Sequence, residues 1–222
     1  MTKILIIGAG GHGQVIADII LSRSRLGERL ELVGFLDDDP SLLGKEVLDT
    51  FILGSVDQVY SIPHDAVVVG IGHNQTRALV YERLRAQGEQ FATLVHPQAT
   101  LAQHLAIGAG TVVFAGAVIN TGSTLGPNVI VNTGATVDHH ARLGAHVHIA
   151  PGTHVGGTVT IGEGTFLGIG SCVIPNLTIG EWTIVGAGAA VTGNLPERVT
   201  AVGVPARIIK HHISTPQSEA KK

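Results

Sequence analysis

The stretch Val131-Asn-Thr-Gly-Ala-Thr-Val137-Asp-His-His-Ala-Arg-Leu143-Gly-Ala-His-Val-His-Ile149 carries an aliphatic residue at every sixth position. The series runs outward from it without a slip. It goes back through Leu125, Ile119, Val113, Ile107 and Leu101 to Val95, and on through Val155, Ile161, Leu167, Val173, Ile179 and Val185 to Val191. A period of six with one inward aliphatic per period is the signature of a parallel β-helix, in which three hexapeptides close one triangular coil. Sixteen intervals of six, at three per coil, give slightly more than five coils. Each coil buries its aliphatics against those above and below, so stability is built between neighbours. The position after each aliphatic is often glycine (Gly108, Gly126, Gly144, Gly156, Gly162, Gly168, Gly180, Gly186), with Asn120, Asn132 and Asp138 at others. Those residue types read as corners with φ > 0 backbone.

Residues 1–94 follow another rule. Lys3-Ile-Leu-Ile-Ile7 is a short apolar run suited to a buried parallel strand. It meets Gly8-Ala-Gly10-Gly11-His12-Gly13, after which Val15, Ile16, Ile19 and Ile20 recur with helical spacing. Further strands are expected at Leu30–Leu36, ending in Asp37-Asp38-Asp39-Pro40, and at Ala66–Ile71, ending in Gly72-His73-Asn74. A helix is expected from about Gln75 to Gln87, with Asn74 as N-cap and Gly88 just past its end. Strands alternating with helices imply a small parallel sheet with its ligand at the strand C-terminal ends. The expected division is an α/β unit over 1–94, a solenoid over 95–210 and a frayed polar tail over 211–222.

Composition narrows the classes. Charged residues are 14% of the chain, the formal net charge is −3, and no Lys/Arg cluster stands out. That argues against nucleic acid or an anionic membrane surface as the main partner. The sole cysteine, Cys172, excludes an internal disulfide framework and a cysteine-based zinc site. The beginning of the chain lacks the marks of a secretory signal and no segment offers a long apolar span, so a soluble, cytoplasmic protein is expected.

A hexapeptide solenoid joined to an N-terminal glycine-rich α/β unit resembles a family of sugar acetyltransferases. That family includes the bacillosamine- and perosamine-type N-acetyltransferases and the sialic acid O-acetyltransferase-like proteins. The resemblance runs from Ile4 to about Lys210. It rests on Gly8-Ala-Gly-Gly-His-Gly13, Leu36-Asp37-Asp38, Gly70-Ile-Gly-His-Asn74, Asn132-Thr-Gly-Ala-Thr-Val-Asp-His139, Gly168-Ile-Gly-Ser-Cys-Val-Ile-Pro175 and Val202-Gly-Val-Pro-Ala-Arg207, in that order. It implies a small Rossmann-like unit followed by a left-handed β-helix. It also implies acetyl-CoA as donor, a 4-amino-4,6-dideoxy sugar on a nucleoside diphosphate as acceptor, and a homotrimer with the donor in grooves between solenoids.

In that family the residue matching His139 is the proposed base, and an imidazole suits proton transfer from a sugar amine at cellular pH. Relatives often carry a carboxylate after the base; here His140 stands there, and Asp138 on the other side is the alternative partner. His148 matches a family position near the acetyl-CoA carbonyl or pantetheine. Gly157 and Ile169 match positions where backbone N–H groups hold the thioester oxygen.

The Gly8-x-Gly10-x-x-Gly13 pattern is by itself a dinucleotide fingerprint, yet fewer than 100 residues precede the solenoid. Half a Rossmann unit fits a nucleoside diphosphate better than NAD, which sets a dehydrogenase aside. Gly10, Gly11 and Gly13 would let backbone amides approach phosphate at a helix N-terminus. Asp37 and Asp38 would accept hydrogen bonds from ribose or base, His12 would reach the sugar or diphosphate, and His73 and Asn74 would contact the nucleotide.

Twelve histidines also raise zinc hydration catalysis on a left-handed β-helix, but no two lie five residues apart as those sites require, so no metal is expected. Acetylation of a sugar hydroxyl by the same apparatus, and a non-catalytic sugar-nucleotide binder, remain as rivals.

Overall fold

The computed structural model describes residues 1–212. Five strands form the N-terminal sheet: β1 (Thr2–Ile7), β2 (Leu30–Leu36), β3 (Glu46–Val47), β4 (Thr50–Gly54) and β5 (Ala66–Val69), in the order β3-β4-β2-β1-β5. β1 pairs in parallel with β2 on one side and β5 on the other. Its residues Ile4, Leu5, Ile6 and Ile7 are all buried, as a central strand covered on both faces requires. Strand alternation splits them between two cores. Ile4 and Ile6 pack with Ile16, Ile19 and Ile20 of helix α1 (Gly11–Arg25). Leu5 and Ile7 pack with Tyr81 and Leu84 of helix α2 (Asn74–Ala86).

Nothing in the sequence pattern announces the β3–β4 hairpin. Its turn residues Leu48 and Asp49 both have positive φ, the geometry that an Asn-Gly pair usually signals. The expected strand to Ile71 ends at Val69.

The second unit is a left-handed parallel β-helix of hexapeptide repeats. Its two-residue strands pair with those eighteen positions on: Thr100–Leu101, Val118–Ile119, Thr136–Val137, His154–Val155, Cys172–Val173 and Ala190–Val191 form one such face. The six-residue aliphatics from Val113 to Val191 line a single continuous core. The corners differ from expectation. Positive φ falls three residues after each aliphatic from Leu101 to Val185, as at Gly110, Gly116, Gly122, Asn128, Gly134 and His140, and not at the glycine directly after it. Those directly following glycines answer to space. A Cβ on Gly144 would stand 2.7 Å from the backbone nitrogen of Glu163 in the next coil, and one on Gly126 2.7 Å from that of Ala145. Cys172 sits exposed on its face of the solenoid.

A final strand over Arg207–His211 folds back antiparallel on Val199–Val202, and His212 N–H donates to the Arg198 carbonyl, so placed backbone extends two residues into the expected tail. The rest of that tail, 213–222, lies outside the described residues.

The two units share a core in which Ile4, Ile6 and Ile16 meet Val112, Phe114 and Ile130 of the solenoid. A polar clasp completes the joint. Arg77 is fully buried on α2 and donates to the carbonyls of Ile71 and Gly72, to Asn74 Oδ1, and across the joint to the carbonyls of Asn128 and His146. Burial pulls its guanidinium down to about 9, which leaves it charged at neutral pH. Replacing Arg77 by Met would strand several buried carbonyls, each lost bond to a charged donor being worth about 1.5–3 kcal/mol. We expect the melting temperature to drop by several degrees, read by calorimetry, whereas Arg83→Met on the exposed face of α2 should leave it within a degree or two.

Candidate active site

Five backbone groups of residues 138–140 have partners that hold the segment in place. Asp138 N–H donates to the Val155 carbonyl, His140 N–H to the Thr121 carbonyl, and Thr158 N–H to the His139 carbonyl. Ser123 Oγ donates to the Asp138 carbonyl at 2.8 Å. The segment 138–140 is thus fixed at a solenoid corner, with both imidazoles exposed on the surface.

Of the two candidate partners, Asp138 does not reach the His139 ring. Its Oδ1 accepts from Asn120 Nδ2 at 2.8 Å and from the backbone N–H of His139 at 2.8 Å. The Asn120 bond, followed by that backbone bond, holds its carboxyl below the usual range. It anchors the chain and makes no hydrogen bond to the imidazole among the described residues. The contact to the ring comes from His140, whose Nδ1 lies 3.1 Å from His139 Nδ1. His139 Nε2 has no hydrogen-bond partner among the described residues, so its second nitrogen is available to a substrate.

Gly157 serves this centre in two ways. A Cβ there would lie 2.7 Å from His139 Cε1 and 2.8 Å from Nε2, so only glycine lets the imidazole rest against that coil. Its N–H also has no partner among the described residues, because it occupies the corner position two after the aliphatic. Pro127, Pro151 and Pro175 fill the same position in other repeats, where a missing donor costs nothing. Ile169 stands at that position too, with a similarly unpaired N–H and a side chain 61% exposed. Beside this corner runs an open groove of about 480 Å³, bordered by Asn120, Asp138, His154, Gly156, Cys172 and Ile174.

His148 lies on the side of the solenoid that the α/β unit covers. It is buried at the joint, with Nδ1 3.3 Å from the Gly72 carbonyl and Nε2 3.2 Å from Asn132 Nδ2. A carbonyl only accepts, so Nδ1 carries the hydrogen, Nε2 accepts from Asn132, and neither nitrogen is left for a donor substrate. Desolvation, aided by the nearby charge of Arg77, pulls its pKa down to about 3. This outward rung position is covered by the α/β unit, which the hexapeptide pattern cannot reveal.

His12 lies near it, its ring centroid 5.9 Å from that of His148 and 5.2 Å from that of Phe114. Burial, then Arg77, lowers its pKa to about 4. Its Nε2 is enclosed and without a partner among the described residues.

His12 belongs to the first turn of α1, whose N-terminus is open. Gly10 supplies no side-chain cap, the first turn holds no acidic residue, and a Cβ at Gly10 or Gly11 would meet nothing within 4 Å. Unpaired amides and the positive end of the helix dipole face outward there, an arrangement suited to phosphate. Gly13 acts differently. A Cβ there would come 2.0 Å from the Gly8 carbonyl oxygen, so its bare Cα permits close packing of helix on strand.

Asp37 and Asp38 are partly spent on the fold. Asp37 Oδ2 accepts from Ala9 N–H at 2.8 Å and so shapes the glycine loop, and Asp38 Oδ1 accepts from Val56 N–H at 2.9 Å. His73, not Asn74, caps α2, its Nδ1 accepting from Thr76. Asn74 is buried and donates to the carbonyls of Gly164 and Thr165, which ties α2 to the solenoid and removes its side chain from any ligand.

Residues 3–84 match the PglD N-terminal domain family, and residues 158–193 the bacterial transferase hexapeptide family of six repeats. Over 117 residues the chain is 39% identical to the UDP-N-acetylbacillosamine N-acetyltransferase of Bacillus subtilis (strain 168), a match that spans 52% of each protein, about half the length of that curated relative. Among solved structures, the acetyltransferase domain of PglB from Neisseria gonorrhoeae FA1090 in complex with acetyl coenzyme A is 37% identical, with a TM-score of 0.86 over 93% of this chain and 98% of that one. PerB from Caulobacter crescentus, in complex with CoA and GDP-perosamine, is 38% identical with a TM-score of 0.83 over 94% of this chain and 97% of that one.

Proposed function

Given that the chain belongs to the nucleotide-sugar acetyltransferase family that joins a PglD-type N-terminal domain to a hexapeptide β-helix, we propose that it is an acetyl-CoA-dependent N-acetyltransferase. Its acceptor in this reading is a 4-amino-4,6-dideoxy sugar carried on a nucleoside diphosphate. The observation that carries the proposal is the exposed His139, with Nε2 free, set against the bare Cα and unpaired N–H of Gly157 at the edge of a groove.

The neutral sugar amine attacks the thioester carbonyl carbon, and a C–N bond forms. His139 Nε2 takes the proton from the developing ammonium. The Gly157 N–H, with that of Ile169 along the groove, faces the oxygen on which charge develops. As the C–S bond breaks, the proton passes from His139 to sulfur and coenzyme A leaves as the thiol. The diphosphate rests at the open N-terminus of α1, around Gly10 and Gly11. Asp37 keeps a partly exposed carboxylate at the adjacent strand end for ribose or base.

The assembly is proposed as a homotrimer, with exposed Ile169 and Ile174 against a neighbouring solenoid. No helix among the described residues is long and apolar enough to cross a membrane, and a cytoplasmic location is proposed because both substrates are cytoplasmic metabolites.

The test is incubation with acetyl-CoA and a panel of UDP-, GDP- and dTDP-linked 4-amino sugars, with the matching 4-hydroxy sugars alongside, following free thiol. Thiol release with one amino sugar is the expected result. Release with a hydroxy sugar alone would convert the assignment to O-acetylation, and release with none would leave a sugar-nucleotide binder.

A further inference from the structure

We propose that His140 is a positioning residue that fixes the tautomer of His139, an inference that rests on reading His139 as the base. The two imidazoles meet Nδ1 to Nδ1 at 3.1 Å with their planes 77° apart. A neutral imidazole has one N–H and one acceptor nitrogen. A bond between two Nδ1 atoms therefore requires opposite tautomers. If His139 donates, its Nε2 carries the lone pair and is a base. If His139 accepts, its Nε2 carries hydrogen and cannot take another proton.

The reaction selects the first arrangement. Once Nε2 of His139 has taken the substrate's proton, its Nδ1 can only donate, and His140 must accept through Nδ1 with its own hydrogen on Nε2. The bond is then charge-assisted and stronger than between neutral rings. His140 thus stabilises the protonated base more than the resting one, which lowers the barrier to proton transfer. The reverse tautomer of the pair would idle the enzyme.

The surroundings hold the pair without supplying a substitute acceptor. The Asp138 carboxylate is turned to Asn120 and to the backbone of His139. Both rings lie against bare glycine: a Cβ on Gly157 would stand 2.7 Å from His139 Cε1, and one on Gly122, in the preceding coil, 2.8 Å from His140 Cδ2. The positive φ of His140 belongs to the same corner geometry that takes Gly122, Asn128, His146 and Trp182 elsewhere, and bare Gly122 leaves room for its ring.

Two substitutions separate the chemistry from the packing. His140→Phe keeps a ring over Gly122 and removes the acceptor. His140→Asn places an amide oxygen where Nδ1 stood. We expect the phenylalanine variant to lose on the order of 10²-fold in kcat, the lower end of a positioned base's contribution, with both Michaelis constants unchanged, and the asparagine variant to recover most of it. Long-range 1H–15N spectra of histidine-labelled protein above the imidazole titration should place the His139 hydrogen on Nδ1 in the native chain and on Nε2 in His140→Phe. An Nδ1 hydrogen on His139 and full turnover in His140→Phe would overturn the lock while leaving the base assignment intact. Full turnover in His139→Ala, measured beside it, would remove the base itself.

Discussion

Replacing His139 by alanine is expected to lower kcat by roughly 10²–10⁴, the range attributed to a positioned general base, with the affinity for acetyl-CoA little changed. The imidazole rests against Gly157 and beside His140 and holds no part of the core, so the loss is one of chemistry and not of folding. The deficit should shrink as pH rises, because more of the sugar amine is then neutral and less base assistance is needed. Asp138→Asn should cost less, since its carboxylate anchors backbone. Its replacement still leaves an oxygen to accept from Asn120 and from the His139 N–H. Near-native kcat for His139→Ala at neutral pH would mean that the proton leaves by another route, such as ordered water. A rise confined to the Michaelis constant for the sugar would make His139 a binding residue.

Acid is expected to destabilise the fold well above the carboxylate range. His12 and His148 have folded pKa values of about 4 and about 3 against an ordinary 6.5, both lowered first by burial and then by Arg77. Below pH 6.5 the unfolded chain takes up protons that the folded one refuses, so stability is complete above 6.5 and falls as pH drops toward 4 and then 3. Each group contributes a slope of up to about 1.4 kcal/mol per pH unit in its window, and together they amount to several kcal/mol. His146, lowered chiefly by burial, adds in the same direction; Glu163, whose carboxyl burial raises, works against it. Calorimetric melting temperatures should therefore fall steadily between pH 6.5 and 4. His148→Asn, which cannot titrate there, should flatten the decline by about half. A melting temperature level from pH 7 to 5, dropping only where carboxylates protonate, would contradict the buried neutral state of these two rings.

The solenoid was legible because its period places one aliphatic inside per repeat, and a coil with three six-residue sides buries that whole series on one axis. The corner chemistry was not, because glycine answers two different demands. Sequence does not tell a positive φ, as at Gly122, from a lack of room, as at Gly126, and the left-handed position is also held by His140, Thr158 and Trp182.

The joint between the units was the harder part. The resemblance sets His148 near the acetyl-CoA carbonyl and Asn74 is expected at the nucleotide; both side chains bond across the joint to a unit distant in sequence, which no local pattern shows. Arg77 does leave a trace in the linear chain: it sits four and seven residues before Tyr81 and Leu84, in register with the buried stripe of α2. An arginine on such a stripe either snorkels or is caged, and here it is caged. Opposite tautomers in adjacent imidazoles have no signature in a linear chain at all.

The clasp has a consequence for descent. Across the joint, Arg77 and Asn74 bond to main-chain oxygens of Asn128, His146, Gly164 and Thr165, atoms that every residue type supplies. Bonds that consult only the main chain do not constrain the partner's alphabet, so the residues supplying those oxygens are free to drift without breaking the clasp, while the apolar core beside it still holds Val112, Phe114 and Ile130 to their shapes. Acceptor choice and transfer chemistry can then diversify on separate schedules, as interchangeable parts with a common fitting.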